Sequence, residues 1–307
     1  MSRPSATDRR PVDIPALEVG GTHVTAGWVR PEGWQVSGVS RAELPAGGTA
    51  EQLIAALARA GAGLEAEPGA AWGIAMPGPF DYVRGVAHYT GVGTFEALAG
   101  VDVRSALHQA LPHQPGSLYF SNDASAFLVG EWLIGAARGA TRCVAVTLGA
   151  GVGSAFLDRG NVIDTGSSVP PQAELRLLSH AGRPLEDWVS GRAIRAAYIA
   201  AGGQNDLDDV DVREIGELAR AGDQAAAAAL QGAFAVLGEA LGPWLERFGA
   251  DLLVLGGSLS QAWDLIERPL RSGLSRCSDW RFSIETAGSP ELSPLVGAAY
   301  PAVRPTS

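Results

Sequence analysis

A chain of 307 residues with 46% hydrophobic content is long and apolar enough to bury two ordinary cores, and its formal charge of −10 disfavours a nucleic-acid or anionic-membrane partner. All 23 basic residues are arginine, and the absence of lysine excludes a GxxxxGK[ST] phosphate loop, a protein-kinase strand lysine and a Schiff-base lysine. Anions must then be handled by backbone, hydroxyls, arginine or metal. Two cysteines, Cys143 and Cys277, cannot build a multi-cysteine zinc site; with no signal sequence they imply a reducing, cytoplasmic setting.

In chain order, residues 1–13 ("MSRPSATDRRPVD") read as a disordered tail. The apolar run Ile14 to Val19 and the alternation Val24, Ala26, Trp28 predict two strands, with "GGT" (residues 20–22) as their hairpin turn. A third strand near Trp34 to Val39 follows. Thr49 with Gln52 forms a capping-box start to a helix running to about Ala62, and "AAWGIAMPGPFD" is a buried strand ending in a Pro-Gly-Pro turn. A helix from Asp102 to Leu111 is broken by "LPHQPG", which places a domain boundary near Pro115. The expected units are a small α/β domain, residues 14–115, and a larger one, residues 116–292, with a last helix at 293–301 packing back on the first.

Beyond the boundary, Ser117 to Ser121 predicts a strand and "ASAFLVGEWLIG" a helix, with Asn122 and Asp123 at the junction. Next, "CVAVTLGAGVGSAFLDRG" predicts two strands and a glycine turn; its apolar part is shorter than the ~18 residues of a membrane span. An irregular polar segment covers about 164–184. Helices are predicted over 185–200, 211–221 and 224–248, then the strand "DLLVLGGSLS", a helix through Leu270, a strand near Trp280 to Glu285 and a final helix from Ser293 to about Tyr300. Both halves open on a glycine-turned hairpin and continue with alternating helices and strands, which is an α/β pattern.

Glycine turns stand at three strand ends: "EVGGT" (18–22), "LGAGVG" (148–153) and "LGGSLS" (255–260). A bare turn lets a phosphate approach backbone N–H groups closely. "GAGVGS" leads into a strand rather than a helix, which argues against a Rossmann dinucleotide site. From position alone, Asn122 and Asp123 read equally well as helix caps, and Glu174 and Glu186 as solvated carboxylates.

The order "LEVGGTHVTAG", "GIAMPGPFD", "SNDASAFLVGE", "TLGAGVGSAF", "LLVLGGSLS" resembles the ROK family of sugar kinases, within the sugar kinase, Hsp70 and actin superfamily, over about residues 14 to 300. The resemblance implies two ribonuclease-H-like (actin-like ATPase) domains with a cleft between them, closing over ATP and a sugar, usually in a homodimer. It implies that Gly20, Gly21 and Thr22, with Gly149, Ala150 and Gly151, hold phosphates, and that Gly256 and Gly257 border the adenosine. Asp123 matches the family's general base, and Asn122 a sugar-hydroxyl ligand. Glu174 in "AELRL" and Glu186 in "RPLEDW" match two glutamates that bind sugar hydroxyls.

Three departures stand out. The family's leading Asp is Glu18, whose extra methylene moves the carboxylate by about 1.5 Å relative to a site built for Asp binding Mg²⁺ through water or phosphate. The zinc motif CxCGxxGC is missing, so no zinc site is expected. The family histidine that binds zinc or sugar is Leu177, with His180 near enough to substitute. The implied function is ATP- and Mg²⁺-dependent phosphorylation of a hexose or related sugar, glucokinase-like. The alternatives are a polyphosphate donor, which this acidic, lysine-free chain does not advertise, and a non-catalytic sugar or nucleotide sensor. The family's repressors carry an N-terminal helix-turn-helix, for which the dozen or so residues before the first strand are too few.

Overall fold

The apolar run at the start forms β1 (Ile14–Val19), which turns at Gly20–Thr22 into β2 (His23–Arg30) and then β3 (Gln35–Glu43). The computed structural model describes residues 13–45, 47–90, 93–112, 114–148, 151–203, 212–257 and 262–304. The chain divides into two compact units, residues 1–134 with 291–307 and residues 135–290.

In the first unit β1 pairs antiparallel with β2, and β3 extends the hairpin antiparallel at the edge. On the other side β4 (Ala71–Met76) runs parallel to β1, giving the order β3-β2-β1-β4-β7 with β7 (Ser117–Asn122) parallel to β4. A small hairpin, β5 (Phe80–Asp81) with β6 (Val86–Ala87), leaves the end of β4. The two faces of the sheet are covered differently. Leu17, Val19, Ile74 and Met76 pack with Leu53 and Leu57 of α1 (Ala50–Ala62) and Leu107 of α2 (Val103–Ala110). Each such buried side chain contributes about 1.5–3 kcal/mol. The alternate residues Ala16, Val29 and Ala75 pack with Ala126 of α3 (Asp123–Ile134) and Leu295, Val296, Ala298 and Ala299 of the C-terminal helix, α9 (Ser293–Val303).

Helices α3 and α9 cross at glycines: a Cβ on Gly130 would lie 1.9 Å from the Ser293 carbonyl oxygen, and one on Gly297 1.8 Å from that of Ala126. Beside this crossing the Ser293 hydroxyl donates to the fully buried Glu131 carboxylate at 2.8 Å. Because β7 pairs along its length with β4 and α3 packs on α9, the first unit runs to Ile134, past the boundary expected near Pro115. Asp13, expected in the tail, pairs with Arg30 at 3.1 Å, and residues 1–12 lie outside the described residues.

The second unit repeats the plan. The hairpin β8 (Arg142–Leu148) and β9 (Val152–Asp158), with β10 (Asn161–Val162), is extended in parallel by β13 (Leu252–Gly257) and β14 (Ser283–Thr286) in the order β10-β9-β8-β13-β14. The segment read as irregular holds two 3₁₀ turns, Pro171–Ala173 and Leu175–Leu177, and a hairpin of β11 (Ser179–His180) with β12 (Arg183–Pro184). The helix expected over 185–200 is two, α4 (Glu186–Val189) and α5 (Gly191–Ala200), because Ser190 leaves the helical path and caps α5 by accepting the Ala193 N–H at 3.2 Å. Helices α6 (Val212–Arg220), α7 (Gln224–Phe248) and α8 (Trp263–Cys277) complete the unit. By length and composition α7 could cross a bilayer, yet Leu230, Phe234, Leu237, Leu241 and Leu245 are buried in this core.

Candidate active site

At the turn end of the first sheet, the strand register places Thr25 opposite Glu18 on one side and opposite Arg41 on the other. Glu18, Thr25 and Arg41 therefore share a row on the face covered by α3 and α9. Burial holds the Glu18 carboxyl above its ordinary value; the Thr25 hydroxyl pulls it down, the charge of Asp123 pushes it up, and Arg41 pulls it down. Asp123, first residue of α3, thus lies within electrostatic reach of Glu18. Two carboxylates in one partly buried place, with phosphates and water to complete a shell, suit Mg²⁺. Among the described residues no group of three or more His, Cys, Asp or Glu side chains comes together.

His23, also on this row's face, sets its Nε2 4.0 Å from the Glu18 carboxylate and accepts an Arg41 Nη2 hydrogen bond at Nδ1, 2.9 Å away. Its ring fills the space beside Gly20, where a Cβ would come within 3.0 Å of the imidazole. A Cβ on Gly21 would meet nothing within 4 Å, so the chain's own packing does not require that glycine.

Asn122 is engaged at both ends. Its Oδ1 accepts the Ser125 N–H at 3.1 Å, the cap of α3, and its amide donates to the Tyr82 hydroxyl at 3.0 Å. One amide hydrogen remains for a ligand. Asp123 Oδ1 accepts the Ala124 N–H at 2.8 Å. Nearby, burial and then the charge of Asp123 push the Tyr89 hydroxyl's pKa far up, so that it stays protonated and donates to the Pro77 carbonyl at 2.8 Å.

In the second unit the turn residues Gly149 and Ala150 lie outside the described residues. Next to them, Glu186 Oε1 accepts the Val152 N–H at 3.3 Å and would lie 3.1 Å from a Cβ on Gly151. Glu174 is close to Glu186: burial raises its pKa, its ion pair with Arg176 lowers it, and the charge of Glu186 raises it again. Ser154, buried on β9, brackets Glu174, donating to the Ala173 carbonyl at 2.7 Å and accepting the Leu175 N–H at 2.9 Å. The structure thus brings Glu174, Glu186 and the start of β9 together. His180 has other company: its Nε2 lies 3.7 Å from Glu239 on α7 and its ring stands edge-on to Trp188 at 5.5 Å. Leu177 is exposed. Gly256 and Gly257 end β13, and a Cβ on Gly257 would lie 2.2 Å from the Leu148 carbonyl oxygen, so strand packing alone demands this glycine.

Sequence reasoning missed His23, Thr25, Arg41, Arg176 and Ser154. Counting the hairpin register outward from Glu18 finds Thr25. Arg41 was hidden because the third strand was expected to stop near Val39, whereas β3 runs on to Glu43.

Paired α/β units built on hairpin-led sheets, each with a glycine turn at its head, define a protein of the ribonuclease-H-like, actin-like ATPase fold. The ROK family model matches residues 14–303, and the chain belongs to the ROK family. It is 26% identical over 279 residues to a glucokinase of Thermotoga maritima, covering 83% of this chain and 84% of that one. Among solved structures it is similar to a ROK family glucokinase from Streptomyces griseus in complex with glucose and AMPPNP (TM-score 0.75, 23% identity, 94% of this chain and 98% of that chain). It is also similar to a ROK hexokinase from Thermus thermophilus (TM-score 0.74, 25% identity, 95% and 99%).

Proposed function

We propose that this chain is a glucokinase-like sugar kinase that transfers the terminal phosphate of ATP to a hexose or related sugar. The observation that carries the reading is Asp123, fixed at the head of α3 within electrostatic reach of the Glu18 carboxylate, on the sheet that bears the Gly20–Thr22 turn. Family membership and the glucokinase relative support the same chemistry.

In this reading the Asp123 carboxylate takes the proton of the sugar hydroxyl as that oxygen bonds to the terminal phosphorus and the bond to ADP breaks. Asn122 uses its remaining amide hydrogen on a sugar hydroxyl. Glu174 and Glu186 accept further sugar hydroxyls, with Arg176 limiting the repulsion between them. Gly20, Gly21 and Thr22 present backbone and hydroxyl to phosphate. Glu18 would hold Mg²⁺ through water or phosphate, leaving the Asp123 carboxylate to act as base, and that ion supplies charge stabilisation to the phosphoryl group when bound. His180 is left out because it is turned to Glu239.

The test is a coupled ADP-release assay across hexoses and amino sugars, with Asp123→Ala as control. ADP release above background that the substitution removes is the expected result. No release with any sugar overturns the reading, and calorimetric binding of sugar or ATP without turnover would mark a sensor instead.

A further inference from the structure

In a chain without lysine, arginine is the one permanently cationic side chain that can stand beside a phosphate donor, and the structure shows which arginine stands at the first turn. Arg41 is carried there by register, across Thr25 from Glu18. Its guanidinium donates to His23 Nδ1 at 2.9 Å. Because a guanidinium has no acceptor, this bond fixes the neutral His23 tautomer, with its lone pair at Nδ1 and its proton at Nε2 towards Glu18. The hydrogen bond to a neutral ring orients Arg41 without cancelling its charge.

Beside it opens a cleft of about 590 Å³ lined by Thr22, His23, Arg41, Ala42, Glu43 and Leu44. Glu43 makes one wall acidic, so an anion is favoured only on the Arg41 and Thr22 side. Gly21, which has free space around it, adjoins this lining through Thr22. The Thr22 hydroxyl lies 3.3 Å from the same His23 Nδ1 that accepts from Arg41, so an arriving anion can take over its hydrogen while Arg41 keeps the ring nitrogen; a cation, that hydroxyl and an unobstructed turn together fit a phosphate group.

We propose that Arg41, oriented by His23, is the cationic ligand for a phosphate of the phosphoryl donor. The assignment rests on the kinase reading. The shared chemistry is a phosphate in a chain of phosphates, which a nucleoside triphosphate or an inorganic polyphosphate could supply.

The test is calorimetric titration of the full chain and of Arg41→Ala, Arg41→Lys and His23→Ala with MgATP and, separately, magnesium tripolyphosphate. Thermal unfolding checks each variant, and Arg41→Gln, which keeps most of the stem, replaces Arg41→Ala if that variant unfolds early. Arg41→Ala is expected to weaken binding about tenfold or more, Arg41→Lys to recover part of it, and His23→Ala to lose severalfold. A loss confined to ATP assigns the nucleotide as donor, one confined to tripolyphosphate assigns polyphosphate, and either supports the proposal. Unchanged affinity of Arg41→Ala for both ligands overturns it. If the unaltered chain binds neither ligand, the proposal falls together with the kinase reading. If it binds a donor but turns over no sugar, the kinase reading alone falls and the affinity ratio still decides Arg41.

Discussion

Around the β1–β2 turn, charges of both signs meet: Glu18 and Asp123 lie within electrostatic reach of each other, and Arg41 and His23 close the row. Beside the start of β9 stand the carboxylates Glu174 and Glu186, tempered by Arg176, and a backbone N–H that a phosphate could use is held by Glu186. The same hairpin plan therefore supports two kinds of polarity. In the proposed scheme the first turn handles charge, with carboxylates for a metal ion or a proton and a cation for an anion, and the second handles neutral hydroxyls, which paired carboxylates accept well. A glycine turn at the head of a sheet fixes where a ligand comes close, and the side chains on the neighbouring strands decide which ligand that is.

The sharpest way to break this contrast is to remove proton acceptance from the first turn. Asp123→Asn keeps an oxygen for the Ala124 N–H and so preserves the start of α3. It is expected to lower kcat by roughly 10²–10⁴ in the ADP-release assay, with a melting temperature that does not fall. A kcat within twofold of the unaltered chain would deny Asp123 its role. Glu18→Asp comes next. The Glu18 carboxylate meets Thr25 and approaches His23, and a side chain shorter by one methylene, about 1.5 Å, withdraws from both. The expected result is a roughly tenfold fall in kcat/KM for the donor. A rise would show that the site is built for the shorter residue and that Glu18 is a displaced ligand.

At the second turn the corresponding test is milder. Ser154 touches no ligand in the proposed scheme; it holds the backbone on either side of Glu174 to β9. Ser154→Ala is expected to raise the sugar KM several-fold while kcat and the donor KM stay within about twofold, consistent with a lost hydrogen bond of roughly 1 kcal/mol. Ser154→Thr, which keeps the hydroxyl, should recover most of the loss. Equal falls in kcat with both substrates would mean that Ser154 supports the whole unit rather than the position of Glu174.

The two regions were also unequally legible in the sequence. Strand alternation and glycine turns exposed both hairpins, because a side-chain period of two and a bare turn are local signals. The capping pair Thr49 and Gln52 marked α1 for the same reason. The domain boundary was less visible. "LPHQPG" does end a helix, but β7 joins the first sheet through pairing with β4, 46 residues back, and no local pattern announces a parallel partner. Asp123 and Glu18 were visible as motif residues. Arg41 and Ser154 were not, since each acts through a cross-strand or loop contact that only the register and the folded turn create. His180 shows the reverse case: closeness in sequence to Leu177 suggested a ligand, while the β11–β12 hairpin turns it to α7.

The smallest expected effect separates charge from shape at the first turn. In the folded protein the Glu18 pKa is raised above its ordinary 4.5, first by burial, so the native state binds this proton more tightly than the unfolded chain does. The linkage therefore favours folding while the carboxyl is protonated, and that advantage is lost as pH rises through the raised pKa; above it, the charged carboxylate within reach of Asp123 costs stability. Glu18→Gln, which keeps an oxygen for Thr25, removes that cost. Without metal at pH 8 it should melt about 2–4 °C higher than the unaltered chain, a gain of roughly 1 kcal/mol, and the gap should close as pH falls towards 4.5. Excess Mg²⁺ with ATP should reverse the order at pH 8, because only the carboxylate gains a cation. A melting gap that ignores both pH and Mg²⁺ would reduce Glu18 to a packing residue and remove the charged character by which the first turn differs from the second.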